Sequence, residues 1–541
     1  MMLLAAVFGP LLFAVLSLAG PVRAARWWCL AGSALTLAIG GAALWDFVAR
    51  PGADFRLQVE VPWSQVLGAS LRFGVDSLSA AMLALSGLIT LVATISGFAH
   101  ERSPRSYHGL VLLLLAAMNA VFVTLDLLVF YVAWEVLLVP MLLLIGLFGG
   151  EQRRYAALKF FIYTLAGSVM MLALLVLLWS ATPAEGRRVA VPAKAVAAVS
   201  VDGGQTLHGL RVERSDQAPG AAPVVLVPRS FDLRHLALQW QSWREVRFLG
   251  MPLSAFGFLA LLLACLVKVP AVPLHTWLPH AHVQAPTAVS ILLAGVLLKL
   301  GVYGLYRIAL PLFPWEVYTW APTLGWLGLL GILWGALVAL GQRDLKRLVA
   351  YSSVSHMGFC LLGFGSLTFA GLAGGMVQAV THGLSAALLF LLVGVLYDRA
   401  HHRRIDGFGG LAQPMPRFAW LLLVAALAGA GLPGLAGFPG EFLGLSGAFT
   451  SSAPFPLLGA LACLSVILSA AYLLGMVRKV VYGPLQHQEH AQFADCDRRE
   501  LLAALPLVVG LVVLGVWPKP LVEALRPALE ALLLHVRSAL S

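Results

Sequence analysis

The chain has 541 residues, of which 60% are hydrophobic and only 11% charged. An ordinary soluble domain carries about a quarter charged residues, so a water-soluble fold is excluded. The formal charge of +11 comes from basic residues scattered between apolar segments, not gathered into the patch that a nucleic-acid partner needs.

Apolar runs of about 20 residues recur along almost the whole chain, each long enough to cross a bilayer core of about 30 Å as a helix. No alternating barrel pattern is present, so helices are the expected spanning structure. The fold class expected is an all-α polytopic membrane protein of about fourteen transmembrane helices. Their centres fall near residues 10, 38, 86, 116, 138, 169, 260, 297, 329, 356, 382, 432, 466 and 510. The first run, Met1 to Gly20, lacks a basic leading region and is followed at once by a second, so it reads as a retained helix.

Successive loops alternate in charge. One parity carries Arg23 and Arg26, Arg102 and Arg105, Arg153, Arg154 and Lys159, Arg343, Lys346 and Arg347, Arg399, Arg403, Arg404 and Arg417, then Arg478, Lys479, Arg498 and Arg499. The other offers only Arg50, Arg56, Arg72 and Arg307 outside one insertion, about 181–250. By the positive-inside rule both termini lie outside the cytoplasm. The insertion mixes Gly, Pro, Val and Arg without a helical period, and Val224 to Val227 suggests a short hairpin on the outer face. Gln486 to Arg499 reads as a solvated cytoplasmic loop, with His401, His402, His487 and His490 as solvated loop residues, and Leu521 to Leu540 as an amphipathic surface helix.

Two spans are interrupted. Lys268-Val-Pro-Ala-Val-Pro-Leu-His275 breaks one, and Gly431-Leu-Pro-Gly-Leu-Ala-Gly-Phe-Pro-Gly-Glu441 breaks another five spans later. Proline frees carbonyls that lipid cannot satisfy but a hydrated cavity can, and paired breaks in two halves point to inverted repeats. The expected division is 1–107 for three N-terminal helices, 108–311 and 312–480 for two repeats, and 481–541 for the loop, last span and tail.

Glu135 lies well inside its span with no basic residue on the same helix, and Lys268 and Lys299 are the cations at similar depth. A charge there costs about 2.5 to 3.5 kcal/mol on insertion scales and is functional by default. With Glu441, these residues form a candidate proton relay, because burial disfavours the charged form of either type and brings both within reach of exchange near neutrality. The alternative is a set of buried ion pairs that only fixes helix packing. His356 and His382 lie in later spans, where a histidine can relay protons or sit neutral against a hydroxyl or carbonyl. His275, His280 and His282 crowd one connection, but no acid or thiolate accompanies them and prolines disrupt their spacing, so no metal is expected. Asp126 suits an N-cap or an outer polar contact for the path, and Asp344, Lys346 and Arg347 suit interfacial anchors. No nucleotide fingerprint or nucleophile triad is present, so ATP hydrolysis by this chain is not expected.

Several motifs in order resemble the antiporter-like membrane subunits of respiratory complex I, of the chain M or subunit 4 type. They are Trp134-Glu135, Tyr155-Ala-Ala-Leu-Lys-Phe-Phe, the Lys268 break through Leu278-Pro279, Leu292-Leu-Ala-Gly-Val-Leu-Leu-Lys299, Asp344 through Gly358, His382-Gly-Leu-Ser and Gly440-Glu-Phe-Leu. The resemblance implies fourteen helices with two inverted five-helix repeats. It also implies Glu135 and Lys268 as the charge pair of the first half, Lys299 as the connecting lysine, His356 and His382 as relay members of the second half, and Glu441 as the terminal acid. It implies a bacterial inner-membrane location, other membrane subunits as partners, and NADH, FMN, iron-sulfur clusters and quinone in those partners, with no cofactor in this chain. Where the family commonly has Asp and Glu, this chain has His280 and Gln284. The insertion is atypical and suggests an accessory partner outside. Similar subunits serve Mrp-type cation/proton antiporters, membrane-bound hydrogenases and inorganic-carbon uptake complexes. Proton is favoured over sodium because a charged lysine cannot ligate a cation.

Overall fold

The computed structural model describes residues 1–64, 66–98, 102–190, 206–213 and 223–540. Most of them are helical. In chain order the elements are α1 (Met2–Ala19), α2 (Ala25–Ala49), α3 (Ser77–Ser96), α4 (Pro104–Val123), α5 (Leu127–Phe148) and α6 (Arg153–Ala181). After the insertion come α7 (Leu253–Lys268), α8 (Trp277–Gln284), α9 (Thr287–Leu312), α10 (Pro314–Leu340), α11 (Leu345–Gly365) and α12 (Phe369–Ala400). Then follow α13 (Pro416–Gly429), α14 (Gly437–Thr450), α15 (Phe455–Val481), α16 (Arg498–Val516) and α17 (Lys519–Leu540). Among the described residues twelve helices are long and apolar enough to cross a membrane. The pairs α7/α8 and α13/α14 are shorter pieces on either side of the two predicted breaks.

Short polar caps start many of these helices. Asp76, Asp126, Asp344, Thr368 and Asp497 each accept a hydrogen bond from an amide of the first turn, a donor that would otherwise be left unsatisfied. The expected N-cap role of Asp126 is present, with its Oδ1 accepting from Leu128 and Val129 at 3.0 and 3.2 Å.

The connections carry short strands. Arg56–Ser64 pairs antiparallel with Ala69–Val75 between α2 and α3, a hairpin that hydropathy does not reveal. Val224–Val227 is not one arm of a simple hairpin. It lies between Arg187–Ala190 and Leu210–Glu213 in a four-stranded sheet, where Val225 and Val227 meet Leu207 in a small core of their own.

The amphipathic α17 buries Leu521, Leu525, Leu529, Leu533 and Val536 against the bundle. Its His535 reaches the Pro311 carbonyl at 3.0 Å and stands 6.5 Å from Trp240, so the C-terminal helix and the insertion meet at one end of the molecule.

Three residues assigned to loops or interfaces are buried instead. Arg307 lies inside α9, where Asp76 supplies the carboxylate that permits its burial. Lys346 is buried in the first turn of α11 and donates to the Ala285 carbonyl at 2.7 Å. His490 is buried against Phe493 and Phe408, so Gln486 to Arg499 is not wholly solvated.

Candidate functional site: a line of buried charge

The two helix breaks place opposite charges at helix ends that favour them. Lys268 is the last residue of α7, where the helix dipole is negative, and Glu441 lies in the second turn of α14, near its positive end. Each break also satisfies its own backbone. The Trp277 indole donates to the Val267 carbonyl at 3.0 Å, and the Leu432 amide returns to Leu427 at 3.1 Å. Gly431 adopts φ +73°, and a Cβ there would stand 2.6 Å from Glu441 Oε2, so the chain turns directly over the carboxylate.

In the second half the polar side chains touch in sequence. Lys299 Nζ stands 2.8 Å from His382 Nδ1 and also donates to the Ala294 carbonyl. The His382 and His356 rings lie 5.2 Å apart between centroids, and His356 Nδ1 is 3.1 Å from Glu441 Oε1. Gln378 Nε2 lies 3.3 Å from His356 Nδ1 and 3.5 Å from Glu441 Oε1. Four helices, α9, α11, α12 and α14, contribute to this line, and all five side chains are buried. Ala294 lies in the π-helical turn Leu293–Leu297 that precedes Lys299, a wider winding that recurs at functional sites.

The first half is arranged differently. Lys268 Nζ is buried 5.0 Å above the Trp134 ring, next to Glu135 in sequence. Neither Lys268 Nζ nor Glu135 Oε1 has a hydrogen-bond partner among the described residues. The expected Glu135 and Lys268 pair is therefore a neighbouring pair without direct contact, with Ser168 on α6 as a further polar neighbour of the carboxylate. The α7 and α9 backbones meet closely here, since a Cβ at Gly301 would lie 2.6 Å from the Cys265 carbonyl and 3.0 Å from Lys268 Cβ.

The three crowded histidines diverge. His275 faces Tyr351 at 6.1 Å, His280 Nδ1 approaches the Thr276 carbonyl at 2.9 Å and Lys159 Nζ at 3.5 Å, and His282 stacks on Phe390 at 4.2 Å. Gln284, where the family commonly has Glu, accepts from the Gln152 amide at 3.0 Å through its side chain.

A family model described as "NADH:quinone oxidoreductase/Mrp antiporter, TM" matches residues 124–186 and 233–468, more than half the chain. The chain belongs to that family. The family match leaves out 187–232, which hold the sheet of the insertion. Within the family, NADH-quinone oxidoreductase subunit M of Pseudomonas aeruginosa is 38% identical over 533 residues, covering 95% of this chain and 94% of the relative. NADH-quinone oxidoreductase subunit M of Rhodobacter capsulatus is 36% identical over 511 residues, with 94% and 90% covered. A chain of respiratory complex I from Thermus thermophilus with bound NADH superposes with a TM-score of 0.81 at 32% identity, covering 99% of this chain and all of the other. The Mrp complex from Dietzia sp. shares the fold at a TM-score of 0.78 and 21% identity, with 100% and 99% covered. The protein is thus a multi-pass membrane protein of the NADH:quinone oxidoreductase/Mrp family.

The structure adds polar groups to those singled out from the sequence. Gln378 has no charge to draw notice, yet it stands beside His356 and donates to Glu441. His282 lies where both Lys346 and Lys299 act on it, and neither of its ring nitrogens has a partner among the described residues. Lys346 and Asp398 line a polar cavity of about 440 Å³ near Pro286. The one available signal was the Lys346 position in a motif shared with the family; its neighbours there, Asp344 and Arg347, drew it to an interface.

Proposed function

We propose that the chain moves protons along Glu135, Lys268, Lys299, His382, His356 and Glu441 as the membrane subunit M (chain 4) of an NADH-quinone oxidoreductase. Redox chemistry in partner subunits, which hold NADH, FMN, iron-sulfur clusters and quinone, drives the movement. The observation that carries this reading is the contiguous line from Lys299 to Glu441, with 2.8 and 3.1 Å contacts at its ends.

Each contact suits a proton step. A charged Lys299 donates to His382 Nδ1, so neutral His382 carries its proton on Nε2. Transfer leaves neutral lysine and imidazolium, and the neighbouring His356 feels that new charge across 5.2 Å. His356 Nδ1 donates to Glu441, which ends the line. Between Lys268 and Glu135 the unpaired buried nitrogen and oxygen call for bridging water, since buried polar groups are almost always hydrogen-bonded.

In this reading α4 to α9 and α10 to α15, with α7/α8 and α13/α14 each crossing once, form two inverted repeats at about 108–311 and 312–480. Fourteen crossings put both termini outside the cytoplasm of a bacterial inner membrane, with the arginine-rich loops inside. In the assembled complex Lys268→Ala and Glu135→Ala each abolish proton pumping coupled to NADH oxidation. Full pumping in both variants overturns the relay.

A further inference from the structure

Two polar cavities on the side of the arginine-rich loops share a wall at the end of α8. Val283 and Gln284 line both, and the Gly150 and Gln152 amides hold Gln284 in place, donating to its carbonyl at 2.9 Å and its side chain at 3.0 Å. The smaller cavity, of about 150 Å³, has no Asp or Glu in its lining. Its ionisable nitrogen groups are His280 and Arg347, and Lys159 stands 3.5 Å from the His280 ring. A proton arriving there meets only like charge.

The larger cavity, of about 440 Å³, holds Asp398 of α12 and Lys346 of α11. Its arginines are committed elsewhere. Arg403 pairs with Asp344 at 3.3 Å and donates to the Val283 carbonyl at 2.8 Å, and Arg499 faces Asp497 at 3.8 Å. Asp398 itself is exposed and has no ion pair within 4.0 Å among the described residues; the adjacent Arg399 pairs with Glu500 instead. Polar groups then lead inward. The buried Lys346 ammonium donates to the Ala285 carbonyl at 2.7 Å, three residues beyond His282. His282 is buried against Phe390 of α12, within electrostatic reach of both Lys346 and Lys299, and neither ring nitrogen has a partner among the described residues. Buried nitrogens of that kind call for bridging water, and the cavity behind them is roomy enough to supply it.

We propose that protons enter from the cytoplasm through the larger cavity, with Asp398 as the collecting carboxylate and Lys346 and His282 as the carriers that deliver them to Lys299. Lys346 gives a proton to neutral His282 and is refilled by protonated Asp398. The imidazolium then passes its proton to neutral Lys299, and Asp398 takes the next one from bulk water, so only N–H and O–H bonds change. The smaller cavity takes no part. The proposal rests on the relay reading above and supplies its source.

The test is NADH-driven proton pumping by the assembled complex in proteoliposomes. Asp398→Asn should slow pumping about tenfold and Lys346→Met about 100-fold, whereas Asp398→Glu keeps the carboxyl and should pump at nearly the full rate. Added formate, a weak acid small enough to enter the cavity, should restore Asp398→Asn and not Lys346→Met; a merely structural role for Asp398 would not respond to it. His280→Ala should pump normally. Where Lys346→Met does not assemble, Asp398→Asn and its rescue carry the test. Full pumping in Asp398→Asn or Lys346→Met, no rescue by formate, or pumping lost in His280→Ala overturns the proposal. Lys268→Ala separates it from the relay: normal pumping there removes the relay, while pumping lost there but complete in Asp398→Asn removes only this route of entry.

Discussion

Lys299 is the residue at which the two halves of the line are furthest apart in chemistry. On one side it is hydrogen-bonded to His382; on the other, Lys268 Nζ has no hydrogen-bond partner among the described residues. Lys299→Met keeps the length of the side chain and removes its proton, so pumping should fall about 100-fold or more while the complex still assembles. Proton flux measured in proteoliposomes alongside NADH oxidation checks this, and normal flux would remove Lys299 from the path. Gln378→Leu is a milder change. It takes away a donor to Glu441 that stands beside His356 without removing a titrating group, so it should slow pumping severalfold and shift its pH profile. An unshifted profile would leave Gln378 a packing residue. The charged members of the site were legible in the sequence because a charge inside an apolar run is rare and costly. Gln378 was not legible, since an uncharged polar residue in a helix reveals nothing until its neighbours are known.

At the level of elements, the helices that hold the line are set by close approach and by irregular winding. A side chain at Gly301 would press on the α7 backbone and on Lys268 Cβ. Gly301→Val should therefore destabilise the subunit by about 1–3 kcal/mol and lower the yield of assembled complex, as read by thermal melting of the purified enzyme. The π turn at Leu293–Leu297 holds one residue more than an α-helix would place there. Deleting one residue of that turn should restore α-helical winding, keep Lys299 on nearly the same face and remove the widened turn whose Ala294 carbonyl accepts from it. The expected outcome is a spanning, assembled subunit that does not pump, and retained pumping would show the widened turn to be dispensable. Both helix breaks were visible from their prolines and glycines. The π turn was not, because Leu293–Leu297 is an ordinary apolar stretch whose winding is imposed by its neighbours.

For the whole molecule, the family model passes over 187–232 within the insertion, yet the insertion is stitched to the bundle. The Leu127 amide donates to Phe231, the Leu233 amide to Leu125, and Arg72 stands 3.7 Å from Asp126 and 3.6 Å from Asp232. Burial, with Arg234 beside it, pushes the His208 imidazole down to about 4. Burial also lowers His235, against the pull of Asp232. Asp232 is buried too, but its bonds from Arg234 outweigh burial and hold the carboxyl below the usual carboxylate range. A histidine that stays neutral when docked binds fewer protons than one released to water, so docking weakens as pH falls from about 6.5 toward about 4. Hydrogen exchange over 223–238 should be protected at neutral pH and lose protection through that window. Protection independent of pH would show that these histidines do not govern docking.

The sequence by itself determined that the chain is a many-helix membrane protein with two interrupted spans, because run length, hydropathy and proline act locally along the chain. It also singled out the six candidate relay residues, since an ionisable side chain in an apolar run stands out without any knowledge of its partners. Only the tertiary structure decided which of them touch. Lys299 meets His382 across 83 residues and His356 meets Glu441 across 85, separations over which no local pattern carries information. The same holds for Arg307, which reads as a loop cation until Asp76, 231 residues away, is seen to neutralise it.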